Sequence, residues 1–269
     1  MLKQRIITAL WLLPLALVGF FGLQEHAFTA FIGLVMALGG WEWARLAGLE
    51  AQPARIGFAA AVLVLFVLLS QSVPALPVLL LALAWWLLAT LMVFAYPKSA
   101  GWWGGLPGKL LIGLLILLPA GIALIWLKTQ PQANMLILTV MLMVWAADIG
   151  AYFSGRAFGK RKLAPAVSPG KSWAGLYGGL LASVLVAAVC GLLLGLSAGQ
   201  LVLFVPAAAV VVLFSVIGDL TESMFKRTAG IKDSSNLLPG HGGVLDRIDS
   251  LTAALPLFAL LMLLTGWLA

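Results

Sequence analysis

Residues 201–220 read LVLFVPAAAVVVLFSVIGDL, and the only charge among them is Asp219, next to the end. A helix needs about 20 mostly apolar residues to cross the hydrocarbon of a bilayer, so this stretch is a membrane span with an acid at its boundary. Eight further apolar runs surround it: Ile6–Leu23, Ala27–Leu46, Ile56–Ser70, Leu76–Phe94, Leu110–Leu127, Met135–Tyr152, Leu176–Leu196 and Leu251–Leu268, the ninth run being Leu201–Leu220 itself. Composition agrees. Hydrophobic residues make up 63% of the 269 and charged residues 9%, against about 45–50% and 25% in soluble domains. The chain reads as all-α and polytopic, with about nine transmembrane helices. Ile56–Ser70 is short for a full span, and Pro74 and Pro77 mark the turn after it.

Orientation follows from the basic residues. With the N-terminus on the cytoplasmic side, alternate loops collect Lys3, Arg5, Arg45, Arg55, Lys98, Lys109, Arg156, Lys160, Arg161, Lys162, Lys171, Lys226, Arg227, Lys232 and Arg247, and only Lys128 falls outside. The positive-inside bias is satisfied almost completely, which places the C-terminus outside and the polar loops in the cytoplasm. The net charge of +7 is thus a property of membrane loops, and nucleic acid is not the expected partner. The N-terminal run resembles a signal peptide but is long and lacks an Ala-x-Ala site after it, so it is expected to stay as the first span. The single cysteine, Cys190, excludes a disulfide pair and a cysteine metal site. The chain divides into N-terminal helices over 1–130 and a C-terminal region over 131–269 that carries two polar loops.

The denser loop region is Ile217–Asp249, IGDLTESMFKRTAGIKDSSNLLPGHGGVLDRID, with five of the nine acids. On a continuing helix Asp219, Glu222, Ser223 and Lys226 share one face, as do Asp246 and Asp249. Two carboxylate-bearing helix ends at similar depth could converge on one hard cation, and oxygen ligands suit Mg²⁺. Pro239-Gly-His241-Gly242-Gly243 between them permits close approach of backbone N–H groups to a phosphate. Acids, cations and a Gly-rich turn are parts of phosphoryl-transfer sites. The same residues, taken singly, are also what a solvated loop and a plain turn contain. Asp219 weighs against that, because an acid at a span end is costly without a partner or a task.

The second region is Trp145–Trp173, WAADIGAYFSGRAFGKRKLAPAVSPGKSW. Asp148 interrupts an apolar run, and Arg156 and Lys160–Lys162 follow, a cluster that equally suits anionic headgroups. Ser168-Pro-Gly-Lys171-Ser172 looks like the end of a P-loop, but Pro165 stands where a glycine is needed and no strand is expected before it. A turn presenting Ser168, Lys171 and Ser172 to a phosphate at a helix N-terminus remains. Glu42 and Arg45, at i and i+3, read as an interfacial ion pair, and Trp102 and Trp103 as interface anchors.

The run Ser223-x2-Lys226-Arg227-x4-Lys232-Asp233-x-Ser235-x2-Leu238-Pro239-x-His241-Gly242-Gly243-Val244-x-Asp246-Arg247-Ile248-Asp249 resembles the signature of the phosphatidate cytidylyltransferase (CDP-diacylglycerol synthase) family at every specified position. Asp148–Tyr152 with Gly155-Arg156 and Ser168-Pro-Gly-Lys-Ser172 is similar to the family's second motif. Many relatives carry Thr-x-Glu-Gly after Ser-Pro-x-Lys, where this chain has Ser172-Trp-Ala-Gly175, so that Glu has no counterpart here. The resemblance implies the reaction of CTP with phosphatidic acid to CDP-diacylglycerol and pyrophosphate, with Mg²⁺ and room for a second cation, in a bacterial inner membrane, and a homodimer. On that reading Asp219, Asp246 and Asp249 hold the metal, and Lys226, Arg227, Lys232 and Arg247 neutralise the triphosphate. Ser223, Asp233, His241, Gly242 and Gly243 complete the nucleotide site. Ser168, Lys171 and Ser172 with Asp148 and Arg156 serve the lipid phosphate. Two rivals are a secondary transporter with an intramembrane acidic site, which predicts repeated halves that the sequence lacks, and a CDP-alcohol phosphotransferase, whose Asp-Gly-x2-Ala-Arg run is absent.

Overall fold

The computed structural model describes residues 2–267. Its elements are α1 (Leu2–Leu17) continued by a π-helical turn (Val18–Gly22), α2 (Glu25–Ala47), α3 (Gln52–Ser72), α4 (Ala75–Phe94), the short α5 (Ala100–Trp103), α6 (Leu106–Lys128), α7 (Ala133–Phe158), strands β1 (Lys162–Ala164) and β2 (Ser168–Ser172), then α8 (Trp173–Leu193), α9 (Ala198–Thr228) and α10 (Leu245–Thr265). Every apolar run falls on a helix, although Leu268 lies outside the described residues. Eight helices among the described residues are long and apolar enough to cross a membrane, and Ile6–Gly22 is a shorter apolar helix. The run that looked short, Ile56–Ser70, belongs to the 21-residue α3, because Pro53 opens the helix and the polar ends Gln52 and Ser72 continue it. Pro74 is then the N-cap of α4.

Two helices extend past their apolar runs, and these extensions carry the chemistry. α9 is 31 residues long and continues from Leu220 to Thr228, started by a Ser197–Gln200 capping box. α10 begins at Leu245, before the apolar run, and so includes Asp246 and Asp249 in helix. The helices meet closely where Gly218 lies against the Asp249 carbonyl; a Cβ at Gly218 would sit 2.5 Å from that oxygen. α7 and α8 form a second close seam through Gly150, Gly155, Gly175, Gly178 and Gly179, with the Gly179 Cβ position 2.6 Å from the Ala147 carbonyl. Small residues allow such backbone approach where apolar lipid gives no driving force for packing.

Contacts at the two ends of the bundle sort the loops into two sets. At one end Thr8 Oγ1 donates to the Pro239 carbonyl (2.8 Å) and Trp43 Nε1 to the Lys109 carbonyl (2.7 Å). At the other, Lys128 Nζ donates to the Phe20 carbonyl and to Asn134 Oδ1, both at 2.8 Å, and Gln132 Nε2 to the Leu194 carbonyl. Both polar loops belong to the first end.

Three local expectations are corrected. Ser168–Ser172 is not a bare turn but the second strand of an antiparallel hairpin, Lys162 pairing with Ser172 and Ala164 with Ser168, since Pro165 and the residues after it form a turn between two short extended stretches. Trp102 stays exposed, but Trp103 is buried, its ring 4.3 Å from that of Phe225, which in turn stacks on Trp43 at 4.7 Å. Glu42 is not paired with Arg45 at an interface; it is fully buried and accepts only from hydroxyls and backbone N–H groups.

Candidate active site

Two cavities open at the end of the bundle that holds the polar loops. The first, of about 410 Å³, lies between α7, the hairpin, α8 and α9. Its lining combines apolar Leu176, Leu180, Val212 and Val216 with the charged Asp148, Arg156 and Lys171. Gly155, Gly175 and Gly179 of the α7–α8 seam also line this cavity. The second, of about 240 Å³, is polar throughout: Ser223, Lys226, Arg227, Lys232, Asp233, Asp246 and Arg247 line it. Four cations and two acids around one small volume suit a polyanion, and no aromatic ring lines it.

Asp219 stands at the seam between them. Its Oδ2 is 2.6 Å from Lys171 Nζ, a residue of the first cavity, and its Oδ1 accepts from Ser223 Oγ (3.2 Å), a residue of the second. Asp148 is within electrostatic reach of both Lys171 and Asp219. One helical turn further, Lys226 Nζ lies 2.8 Å from Asp246 Oδ1 and 3.1 Å from Glu222 Oε1. The i,i+4 spacing of Glu222 and Lys226 and the start of α10 bring these charges together. Sequence reasoning placed Glu222 on the Asp219 face without a role; it is buried, with Oε1 facing the Lys226 ammonium and Oε2 without a hydrogen-bond partner.

The Pro239–Gly243 loop is folded by carboxylates. Asp246 Oδ2 accepts from Gly243 N (2.7 Å), Ser234 N (3.0 Å) and Ser234 Oγ (2.8 Å). The N–H of Gly243 is therefore committed to Asp246. Gly242, at φ +84°, has no room for a side chain because the Asp246 carboxylate fills that space. Arg247 donates from Nε (3.0 Å) and Nη2 (2.7 Å) to the His241 carbonyl, which fixes its guanidinium at the cavity rim. His241 Nδ1 is buried without a partner. Arg227 Nε donates to the Val167 carbonyl (3.2 Å), tying the hairpin turn to α9.

Of the hairpin residues, Leu163, Gly170, Lys171 and Ser172 line the first cavity, and Lys171 reaches Asp219. Ser172 caps α8, its Oγ accepting from Gly175 N (3.1 Å), so its hydroxyl holds a helix end. Ser168 opens β2 and lines neither cavity. Arg156 lines the first cavity and donates to the Tyr152 hydroxyl (3.2 Å).

Among the described residues no group of three or more His, Cys, Asp or Glu side chains forms a ready metal cage. The donors nonetheless suit a hard cation that substrate phosphates help to bind, as Mg²⁺ usually is. Asp219 and Asp249 lie on the two helices that touch at Gly218, and buried Glu222 meets Lys226 through Oε1 while its Oε2 has no partner. Lysine ammonium groups sit against Asp219 and Asp246, so positive charge is already favoured at both.

Comparison with known proteins points to one family throughout. The model of the cytidylyltransferase family matches residues 3–265. A phosphatidate cytidylyltransferase of Pseudomonas aeruginosa is 64% identical over 269 residues, covering 99% of each chain. One from Haemophilus influenzae is 44% identical over 287 residues, covering 96% of this chain and 98% of its own. One from Brucella suis is 46% identical over 132 residues, about half of each chain.

Proposed function

Because this chain belongs to the cytidylyltransferase family, we propose that it joins CTP to phosphatidic acid, giving CDP-diacylglycerol and pyrophosphate, with one substrate in each cavity. The single observation that supports this division is the Lys171–Asp219 ion pair, which stands where an amphipathic cavity adjoins a cationic one. The apolar wall of Leu176, Leu180, Val212 and Val216 suits acyl chains, and Arg156 and Lys171 suit the phosphate at their head. Lys226, Arg227, Lys232 and Arg247 suit a triphosphate.

In the reaction a phosphate oxygen of phosphatidic acid bonds to the α-phosphorus of CTP, and the bond from that phosphorus to the bridging oxygen of the β-phosphate breaks. Pyrophosphate leaves with the electron pair. The nucleophile is already ionised near neutral pH, so no strong general base is required. The barrier is the approach of two anions, and the protein lowers it by fixed positive charge and alignment. Lys171 holds the lipid phosphate beside Asp219. Lys226 is held by Asp246 and Glu222 and directs its remaining donor capacity to the triphosphate. Arg247 is oriented by the His241 carbonyl toward the same phosphates. Asp219 and Asp249, with Asp246, would hold Mg²⁺, which supplies charge neutralisation for the phosphate oxygens. The catalytic face is cytoplasmic and the membrane is the bacterial inner membrane, where CTP is available; the functional unit is a homodimer.

The test uses the purified protein in detergent with CTP labelled at the α-phosphate. Label is expected to enter the lipid phase only when phosphatidic acid is present, to stop on chelation of divalent cations, and to resume with Mg²⁺. Absence of labelled lipid in an extractable, folded preparation contradicts the reading.

A further inference from the structure

Glu42 lies on α2, about 190 positions before the polar loop it touches. Its side chain is fully buried, and a buried carboxylate is costly unless donors surround it. Four do. Val244 N (2.9 Å) and Leu245 N (2.6 Å) donate to its two oxygens, the Ser235 hydroxyl donates to Oε1, and the Ser234 hydroxyl lies 3.2 Å from Oε2. Val244 and Leu245 are the first N–H groups of α10, where the helix end favours negative charge. The anion site at that helix N-terminus is therefore filled by Glu42. Gly243 must be glycine for the same reason, since the Glu42 carboxylate and the Ser234 hydroxyl occupy the space of a Cβ.

The consequence runs on to the cationic cavity. Ser234 Oγ sits between Glu42 and Asp246, 2.8 Å from Asp246 Oδ2, so its one proton serves one carboxylate at a time. Asp246 in turn fixes Lys226, and Asp246, Lys226 and Arg247 all line that cavity. The residues that Glu42 holds line neither cavity themselves, and the link to the cationic one runs through Ser234 and Asp246. We propose that Glu42 is a positioning residue for nucleotide binding: from the N-terminal half of the chain it sets the loop and the start of α10, and through Asp246 the cations that receive CTP. This rests on the assignment of CTP to the cationic cavity.

The experiment is two-substrate steady-state kinetics of Glu42→Gln, Glu42→Asp and Lys232→Ala in the full-length protein. Glu42→Gln points an amide donor at groups that are themselves donors. It is expected to raise the CTP KM by about 10-fold and to leave the phosphatidate KM within about twofold. Glu42→Asp keeps two acceptor oxygens and is expected to recover part of the affinity. A loss of kcat alone, with both KM values unchanged, is the mark of a smaller folded fraction and overturns the proposal. Lys232 lines the cationic cavity without touching Glu42, so Lys232→Ala tests the cavity assignment separately. If it leaves the CTP KM unchanged, that assignment fails. If it raises the CTP KM while Glu42→Gln does not, the Glu42 proposal alone fails. Should Glu42→Gln not fold, Ser235→Ala removes one neutral donor from Glu42 and must raise the CTP KM in the same sense; an unchanged KM overturns the proposal.

Discussion

The two cavities share one end of the bundle but are built in opposite ways. The cavity between α7, α8 and α9 is a largely apolar slot made by omission: glycines of the close α7–α8 seam line it beside Leu180 and Val216, and its charged residues are Asp148, Arg156 and Lys171. The cavity at the ends of α9 and α10 is made by addition, with Lys226 held by buried carboxylates, Arg227 and Arg247 by backbone carbonyls, and a loop wrapped round Asp246. The difference shows how one active site can receive a lipid from the membrane and a polyanion from water. Each partner meets walls of its own character, and only Asp219 and Lys171 belong to the boundary.

Substitution at that boundary has the largest expected effect. Asp219→Asn removes the charge that both cavities share and is expected to lower kcat by about 10²–10³-fold, with both cavities still able to bind; labelled lipid formation at saturating CTP and phosphatidic acid measures it. Near wild-type turnover would remove Asp219 from the chemistry and leave the two cavities unconnected. Next comes the wall made by addition. Lys226→Met leaves Glu222 and Asp246 facing each other without their shared cation, in a place where all three side chains are mostly buried. Breaking such a set by removing one partner costs about 3–5 kcal/mol, so thermal unfolding in detergent is expected to shift down markedly and activity to fall with it. The smallest effect belongs to Ser172→Ala. It removes the α8 cap, at a cost of about 1 kcal/mol, from a residue that also lines the first cavity, and is expected to leave the KM for CTP unchanged. A large loss of phosphatidate affinity in this variant would give Ser172 a direct part in the lipid site, whereas a raised CTP KM would blur the contrast between the cavities.

Much of this was legible in sequence because it is local. Twenty-residue apolar runs, an acid at a span boundary, and the i,i+4 placement of Glu222 and Lys226 all follow from helical periodicity. The positions of Asp219, Lys226 and Asp246 could be read as one site because two helix ends with like polar content had to emerge on the same side. Glu42 could not be read that way. Its i+3 spacing to Arg45 suggests an interfacial ion pair, whereas its partners lie about 190 to 200 residues away and meet it only once α2 packs against α10. Gly243 was legible as a tight spot but not as one filled by the protein's own carboxylate instead of a phosphate. Trp103 next to Trp102 illustrates the same limit, since adjacent residues on one short helix face opposite environments.

The central claim, that lipid and nucleotide enter separate cavities, is tested most directly at Val216, which lines the apolar wall well away from the four nucleotide-facing cations. Two-substrate kinetics of Val216→Phe are expected to show the phosphatidate KM raised by about 10-fold or more as the larger ring fills the slot, with the CTP KM unchanged. A rise in the CTP KM of similar size, with phosphatidate affinity intact, would contradict the account.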